Sequence, residues 1–141
     1  MPKSMQLEVI TPSKLFYKGD VELVIVRTLT GDEGFMAGHT WAVKLLDAGE
    51  LWIQEAGAKD FKIAALAGGF IDIKEDIIIF TDAAEWPEDI DLDRAQSEKD
   101  KAENWLKHPS GDDSEIAKAK IAIAKSMTRM HVKAGGHRRK R

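Results

Sequence analysis

"GGFIDIKEDIIIFTDAAEWPEDIDLDRA", residues 68–95, changes its period part-way along. Its first half sets β-branched and aromatic residues, Phe70 to Ile73 and Ile77 to Phe80, on either side of Lys74-Glu75. That pattern predicts a β-hairpin. Its second half opens on Pro87 and places Asp89 and Asp91 ahead of Leu92 and Ala95. Proline at a boundary and carboxylates that can cap and complement free N–H groups predict the start of a helix. The change from strand to helix divides the chain in two.

Upstream, every segment reads as strand. "MQLEVIT" alternates Leu7 and Val9 against Gln6 and Glu8, and "DVELVIVRTL" is rich in β-branched residues. "ELWIQEA" and "DFKIAALA" flank Gly57-Ala58-Lys59, a further hairpin signal. Pro12 lies between two short strands, where a missing N–H is tolerated. Closely spaced turn signals predict a β-sandwich or flattened barrel of short antiparallel strands.

Downstream, the period is helical. Leu92, Ala95, Ala102, Trp105 and Leu106 fall on one face of a first predicted helix. "HPSGDD", residues 108–113, makes a turn, and a second helix follows with Ile116, Ala119, Ile123, Met127 and Met130 on one stripe. So short a turn makes the helices antiparallel neighbours. Their alanines allow close approach but bury little area each, so this hairpin is expected to detach and re-dock without unfolding the strands. The organisation predicted is β + α: a β-sandwich over residues 1–85, a helical hairpin over 86–134 and a disordered basic tail over 135–141.

A length of 141 residues fits one domain with an appendage. No apolar run approaches the ~20 residues of a membrane span. The opening "MPKSMQLEVI" lacks the layout of a signal peptide, so secretion is not expected. The absence of cysteine excludes disulfides and thiolate chemistry and fits a reducing compartment. Charge is distributed unevenly. Residues 1–85 hold 8 Lys/Arg against 14 Asp/Glu, and residues 86–141 hold 13 against 10. The last acid is Glu115; Lys118, Lys120, Lys125, Arg129 and Lys133 follow it unopposed. Such a face attracts an acidic surface or is simply solvated.

"GDEGFMAGHT", residues 31–40, carries three glycines and His39. The glycines are expected to shape a connection, and the missing Lys-Ser/Thr ending argues against a phosphate loop. His39 has no partner suited to nucleophilic catalysis, and His39, His108, His131 and His137 show no metal spacing. No catalytic residue and no metal site is predicted. Asp72, Glu75 and Asp76 read as turn residues.

Three separated segments carry a resemblance. "LEVITPSKLFYKGDVELVIVRT", "GDEGFMAGHTWAVKLL" and the 68–95 stretch, down to Ile90-Asp91-Leu92-Asp93-Arg94-Ala95, resemble the epsilon subunit of bacterial F-type ATP synthases in order and spacing. The resemblance runs from about Met5 to about Val132. Ala37 departs from it, standing where many members have proline.

The resemblance implies a sandwich of about ten strands followed by an α-helical hairpin. It implies a non-catalytic central-stalk subunit on the cytoplasmic face of the bacterial membrane, reaching that membrane only through its complex. Such a subunit couples ATP synthesis to ion translocation. Implied partners are the gamma subunit and the c-ring for the sandwich, and the alpha and beta subunits for raised helices that inhibit hydrolysis; nucleic acid is not among them. Gly34, Gly38 and His39 then become subunit contacts, and Lys118, Lys120, Lys125, Arg129 and Lys133 an inhibitory basic face.

No cofactor is required, but the resemblance implies regulatory ATP, with or without Mg, on the folded hairpin. Asp91, Arg94 and Glu85 match that motif, with Arg129 kept and Lys101 and Lys125 in place of arginines. Lysine lacks the bidentate fork, so a weakened site is expected. The plainer reading makes Asp91 an N-cap and pairs Arg94 with Glu98. A free-standing β-sandwich module for binding or nucleotide sensing, or an enzyme, remain the other classes; the first leaves the basic helices idle and the second lacks a convergent polar site.

Overall fold

The structure, a computed structural model, describes residues 4–109 and 111–136. Seven strands come first: β1 (Met5–Ile10), β2 (Leu15–Thr28), β3 (Gly31–Met36), β4 (Ala42–Glu55), β5 (Lys62–Ile73), β6 (Ile77–Phe80) and β7 (Ala84–Glu85). A 3-10 turn at Pro87–Asp89 leads into the helices α1 (Leu92–Lys107) and α2 (Asp113–Lys133). Strand order runs β1-β6-β5-β4-β2, and β1 pairs β2 to close the ring; β3 extends β2 and β7 pairs β5.

Two expectations need correcting. The described residues form seven strands where about ten were expected, and one pairing, β1 with β6, is parallel. β2 and β4 are 14 residues each. A strand that long in a closed, twisted sheet must bend, and register shifts at Val21/Leu23 and Ile25/Thr28 mark where β2 does so. A bent strand serves both layers, so fewer and longer strands build the sandwich than the resemblance implied. The parallel contact follows from closure, which brings the first strand beside the sixth.

Period-two burial builds the core. Leu7, Val9, Val24, Val26, Phe35, Leu51, Ile53, Ile71, Ile73, Ile77 and Ile79 all lie at 1% exposure or less. Residues 31–36, expected as part of a connection, are strand instead: a two-residue turn at Leu29-Thr30 pairs Thr28 with Gly31, and Phe35 points inward. Gly69 is fixed by contact, since a Cβ there would lie 1.9 Å from the Phe80 carbonyl oxygen at a φ of +127°.

Both helices are capped by aspartate. Asp91 Oδ1 accepts from the Arg94 N–H at 3.0 Å, and Asp112 Oδ1 accepts from the N–H groups of Ser114 and Glu115. At the far end of α2, the Gly136 N–H donates to the His131 carbonyl at 2.7 Å. Gly135 and Gly136 therefore close the helix and do not begin a loose tail; residues 137–141 lie outside the described residues.

The helices pack on each other, and α2 lies on β4 and β5. The predicted α2 stripe is not what meets the sandwich. Val132 is fully buried against Ala65, Ile90 and Ile63, and Ser126 and Thr128 are buried too, whereas Leu92 and Met127 are exposed. Buried Thr128 is satisfied by its own helix, donating to the Ala124 carbonyl at 3.0 Å.

Candidate functional site

The 84–90 linker is where strands and helices meet. β7 holds it to β5 through Ala65↔Glu85, and Trp86 stacks on Phe16 with ring centroids 4.5 Å apart. Beside it, Tyr17 Oη donates to Glu55 Oε2 at 2.6 Å. Burial, then that carboxylate, pushes the Tyr17 hydroxyl far up. Donation from Tyr17 holds Glu55 below the usual carboxylate range.

Strand pairing fixes Glu85, and Arg129 reaches it from α2. Arg129 Nε lies 2.7 Å from Glu85 Oε1, and Nη2 donates to Oε2 at 3.4 Å. The Nε–H itself is buried and not directed at an acceptor. Nη1 donates to Glu98 Oε2 at 3.4 Å, and the other oxygen of Glu98 accepts from Arg94 Nε at 3.0 Å. Glu85, Arg129, Glu98 and Arg94 thus form one chain of alternating charge across β7, α2 and α1. A groove of about 200 Å³ runs alongside, lined by Asp82, Glu85, Glu98, Lys125 and Arg129 over Ala65 to Ala67.

Of the residues expected at an ATP site, the structure gathers Glu85, Lys125 and Arg129. Asp91 caps α1, Arg94 is turned to Glu98, and Lys101 is exposed along α1. Three carboxylates face two cations in the groove. As arranged, this donor set does not fit a triphosphate, which needs an excess of positive donors. Among the described residues no cluster of His, Cys, Asp or Glu suits a metal ion.

The basic face is split by the fold. Lys118 and Lys120 are exposed, Lys118 lying 3.7 Å from Glu115. Lys125 and Arg129 turn into the groove, and Lys133 Nζ donates to the Pro87 carbonyl at 3.0 Å.

A second surface lies on the outside of the ring. Register pairs Leu45 with Phe70, Phe70 with Phe80, Phe80 with Ile10 and Ile10 with Leu15. Paired residues share a face, so an apolar row crosses β4, β5, β6, β1 and β2. Leu45 and Leu15 are 61% and 52% exposed, and the Phe70 and Phe80 rings stack at 4.8 Å. Val43 on β4 and Trp41 just before it are also exposed, at 66% and 64%. Contiguous exposed apolar surface of this kind marks a docking face.

Comparison with known proteins gives the family of both parts of the chain. Residues 4–87 match "ATP synthase, Delta/Epsilon chain, beta-sandwich domain", and residues 88–134 match "ATP synthase, Delta/Epsilon chain, long alpha-helix domain". The chain belongs to the delta/epsilon family of ATP synthase chains. It is 39% identical over 134 residues to the ATP synthase epsilon chain of Caldanaerobacter subterraneus subsp. tengcongensis, covering 94% of this chain and 95% of that relative. A chain in the Euglena gracilis mitochondrial ATP synthase shares its fold at TM-score 0.78 and 23% identity, over 91% of this chain and 80% of that one. A chain in the central stalk and c-ring structure of the Tetrahymena thermophila enzyme does so at TM-score 0.68 and 14% identity, over 93% and 97%.

Within this delta/epsilon chain, the contact residues named from sequence sit differently from one another. His39 is tied into its own turn: Nδ1 lies 2.6 Å from the Thr40 carbonyl and must carry the proton, and the ring meets Phe35 edge-on at 4.9 Å. Gly38 has a φ of +86°, which the turn requires; Gly34 is ordinary strand paired with Ile25. The apolar outer row escaped the sequence reading. Its signal is present in "DIIIF", which is apolar on both strand phases, and in Trp41, Val43 and Leu45 of "TWAVKLL", an apolar phase opposite the one that carries Leu46.

Proposed function

We propose that this chain is a rotor subunit in the central stalk of an F-type ATP synthase, a coupling and regulatory part with no catalytic role of its own. The observation that carries the reading is the division of labour in the fold. A self-contained strand core bears an unpartnered apolar outer row, and a lightly docked helical hairpin, basic only along its second helix after Glu115, hangs from it. The relatives named as epsilon chains support it.

In this reading the outer row and the 31–40 segment meet the gamma subunit and the c-ring. The hairpin alternates between its place on the sandwich and a raised one against the alpha and beta subunits, where it hinders ATP hydrolysis. No helix among the described residues is long and apolar enough to cross a membrane. In this reading the chain is held at the cytoplasmic face of the membrane through the complex. Any ATP binding by the hairpin is weak, because Arg94 and Arg129 already hold carboxylates.

Reconstitution tests the reading. The alpha, beta and gamma subunits should bind both the full chain and one cut after Pro87, and only the full chain should inhibit hydrolysis. Failure of the folded, shortened chain to bind gamma, or equal hydrolysis with both chains, would overturn it.

A further inference from the structure

We infer that Glu98 is an internal counter-ion: its carboxylate occupies the anion position between Arg94 and Arg129 and keeps external phosphate groups out of it. The assignment goes beyond the stalk function, since it needs four side chains and no partner subunit.

Each oxygen of Glu98 is committed to a different guanidinium, Oε1 to Arg94 at 3.0 Å and Oε2 to Arg129 at 3.4 Å. The two arginines come from different helices, and like charges brought this close repel unless an anion lies between them. Carboxylate and phosphate are interchangeable acceptors for a guanidinium fork, so the place Glu98 fills is one a phosphate could take. Glu85 neutralises Arg129 from the sandwich side. The four-residue chain therefore sums to zero, and the other two charged residues that line the groove, Lys125 and Asp82, are of opposite sign.

An incoming anion meets no excess positive charge until Glu98 leaves. Removing its charge alone would leave Arg94 and Arg129 with one carboxylate between them. The position is accessible, for the Glu98 side chain is 44% exposed whereas that of Arg129 is 17% exposed. The bond to Arg129 ties α1 to α2, so Glu98 also helps hold the folded hairpin together when no ligand is present.

Calorimetry of the full-length chain with inorganic pyrophosphate, then ATP, at low salt would test this, using wild type, Glu98→Gln and the double variant Glu98→Gln/Arg129→Gln. Glutamine keeps the shape and helix propensity of glutamate, and circular dichroism checks the fold. Glu98→Gln should bind pyrophosphate about tenfold or more tightly than wild type, and the double variant should lose the gain. Without any anion, α2 amides should exchange with solvent faster in Glu98→Gln. Equal affinity in wild type and Glu98→Gln, no heat from Glu98→Gln at millimolar pyrophosphate, or a gain that survives loss of Arg129 would each overturn the assignment. A pyrophosphate gain with no further gain for ATP would uphold the counter-ion and remove the nucleotide reading.

Discussion

Arg129 of α2 sits with Nε 2.7 Å from Oε1 of Glu85, the last residue of the strand that leaves the sandwich. The pair joins two points 44 residues apart and closes the hairpin over its own linker. Apolar anchoring is sparse: Val132 is the one fully buried apolar side chain that α2 contributes among the described residues, and Lys133 adds a bond to the Pro87 carbonyl.

Glu85→Gln should therefore loosen the hairpin and spare the strands. Leaving the partly buried guanidinium short of a partner costs about 1–3 kcal/mol. Val132→Ala, which deletes two methyl groups from the contact, should cost about 2 kcal/mol. Amide exchange in α2 should rise in both variants while β4 and β5 stay protected. Uniform exchange across strands and helices would mean that hairpin and sandwich unfold as one.

Where the sandwich ends is testable by truncation. Trp86 packs on the strand core through Phe16 and Tyr17, so it belongs with the strands although the sequence pattern assigns it to the helices. A chain cut after Pro87 should melt several degrees above one cut after Glu85, which exposes that aromatic contact. Identical melting would return Trp86 to the hairpin.

The same residue illustrates what sequence could reveal. Periodicity, caps and turn residues are local, and they located both hairpins, the helices and the Asp91 cap. Closure of the ring depends on β1 finding β6, a pairing 70 residues apart in sequence with no local signature. The Arg94–Glu98 pair was legible as an i,i+4 spacing. Its continuation to Arg129 and Glu85 was not, because three elements must fold before those charges meet. Sequence motifs gathered Asp91, Arg94 and Arg129 into one site, whereas the geometry gives the first two local partners.

The apolar outer row should carry stalk binding. Phe70→Ser with Leu45→Ser removes two cross-strand neighbours that contribute nothing to the inner core. Loss of two docking anchors is expected to weaken gamma binding about thirtyfold or more, with little change in melting temperature. Undiminished gamma binding by the folded double variant would point docking elsewhere, the 31–40 segment first.

The basic residues should separate into two groups. Lys118 and Lys120 are exposed in the docked hairpin, whereas Lys125, Arg129 and Lys133 are turned toward the groove or linker. Replacing Lys118 and Lys120 by glutamine should relieve inhibition of hydrolysis without altering α2 exchange. Exposed pairs are worth about 0.2–1 kcal/mol each, so the effect should be a few-fold and should fade in high salt. Replacing Lys133 should shift both readouts, since it releases the Pro87 carbonyl as well as a charge. Hydrolysis unmoved by any of these changes would show that packing, not charge, holds the raised state.

Finally, the Tyr17–Glu55 bond should give the sandwich a pH dependence at both ends of the scale. Burial and the Glu55 carboxylate raise the Tyr17 hydroxyl above its ordinary value of about 10. The folded chain thus keeps a proton that the unfolded chain has lost. The resulting stability is whole below pH ~10 and is lost as pH rises toward the folded value. Glu55 works in the opposite sense: its folded value is depressed, so its contribution is present above the ordinary carboxylate value of ~4.3 and lost as pH falls through the folded one. Tyr17→Phe should flatten both limbs and cost about 1.5–3 kcal/mol at neutral pH, the range for a hydrogen bond to a charged group. Urea midpoints at pH 4, 7 and 11, taken as differences between variant and wild type, cancel the lysines that titrate alongside. A difference that stayed constant across the three would mean the bond contributes packing alone and no proton linkage.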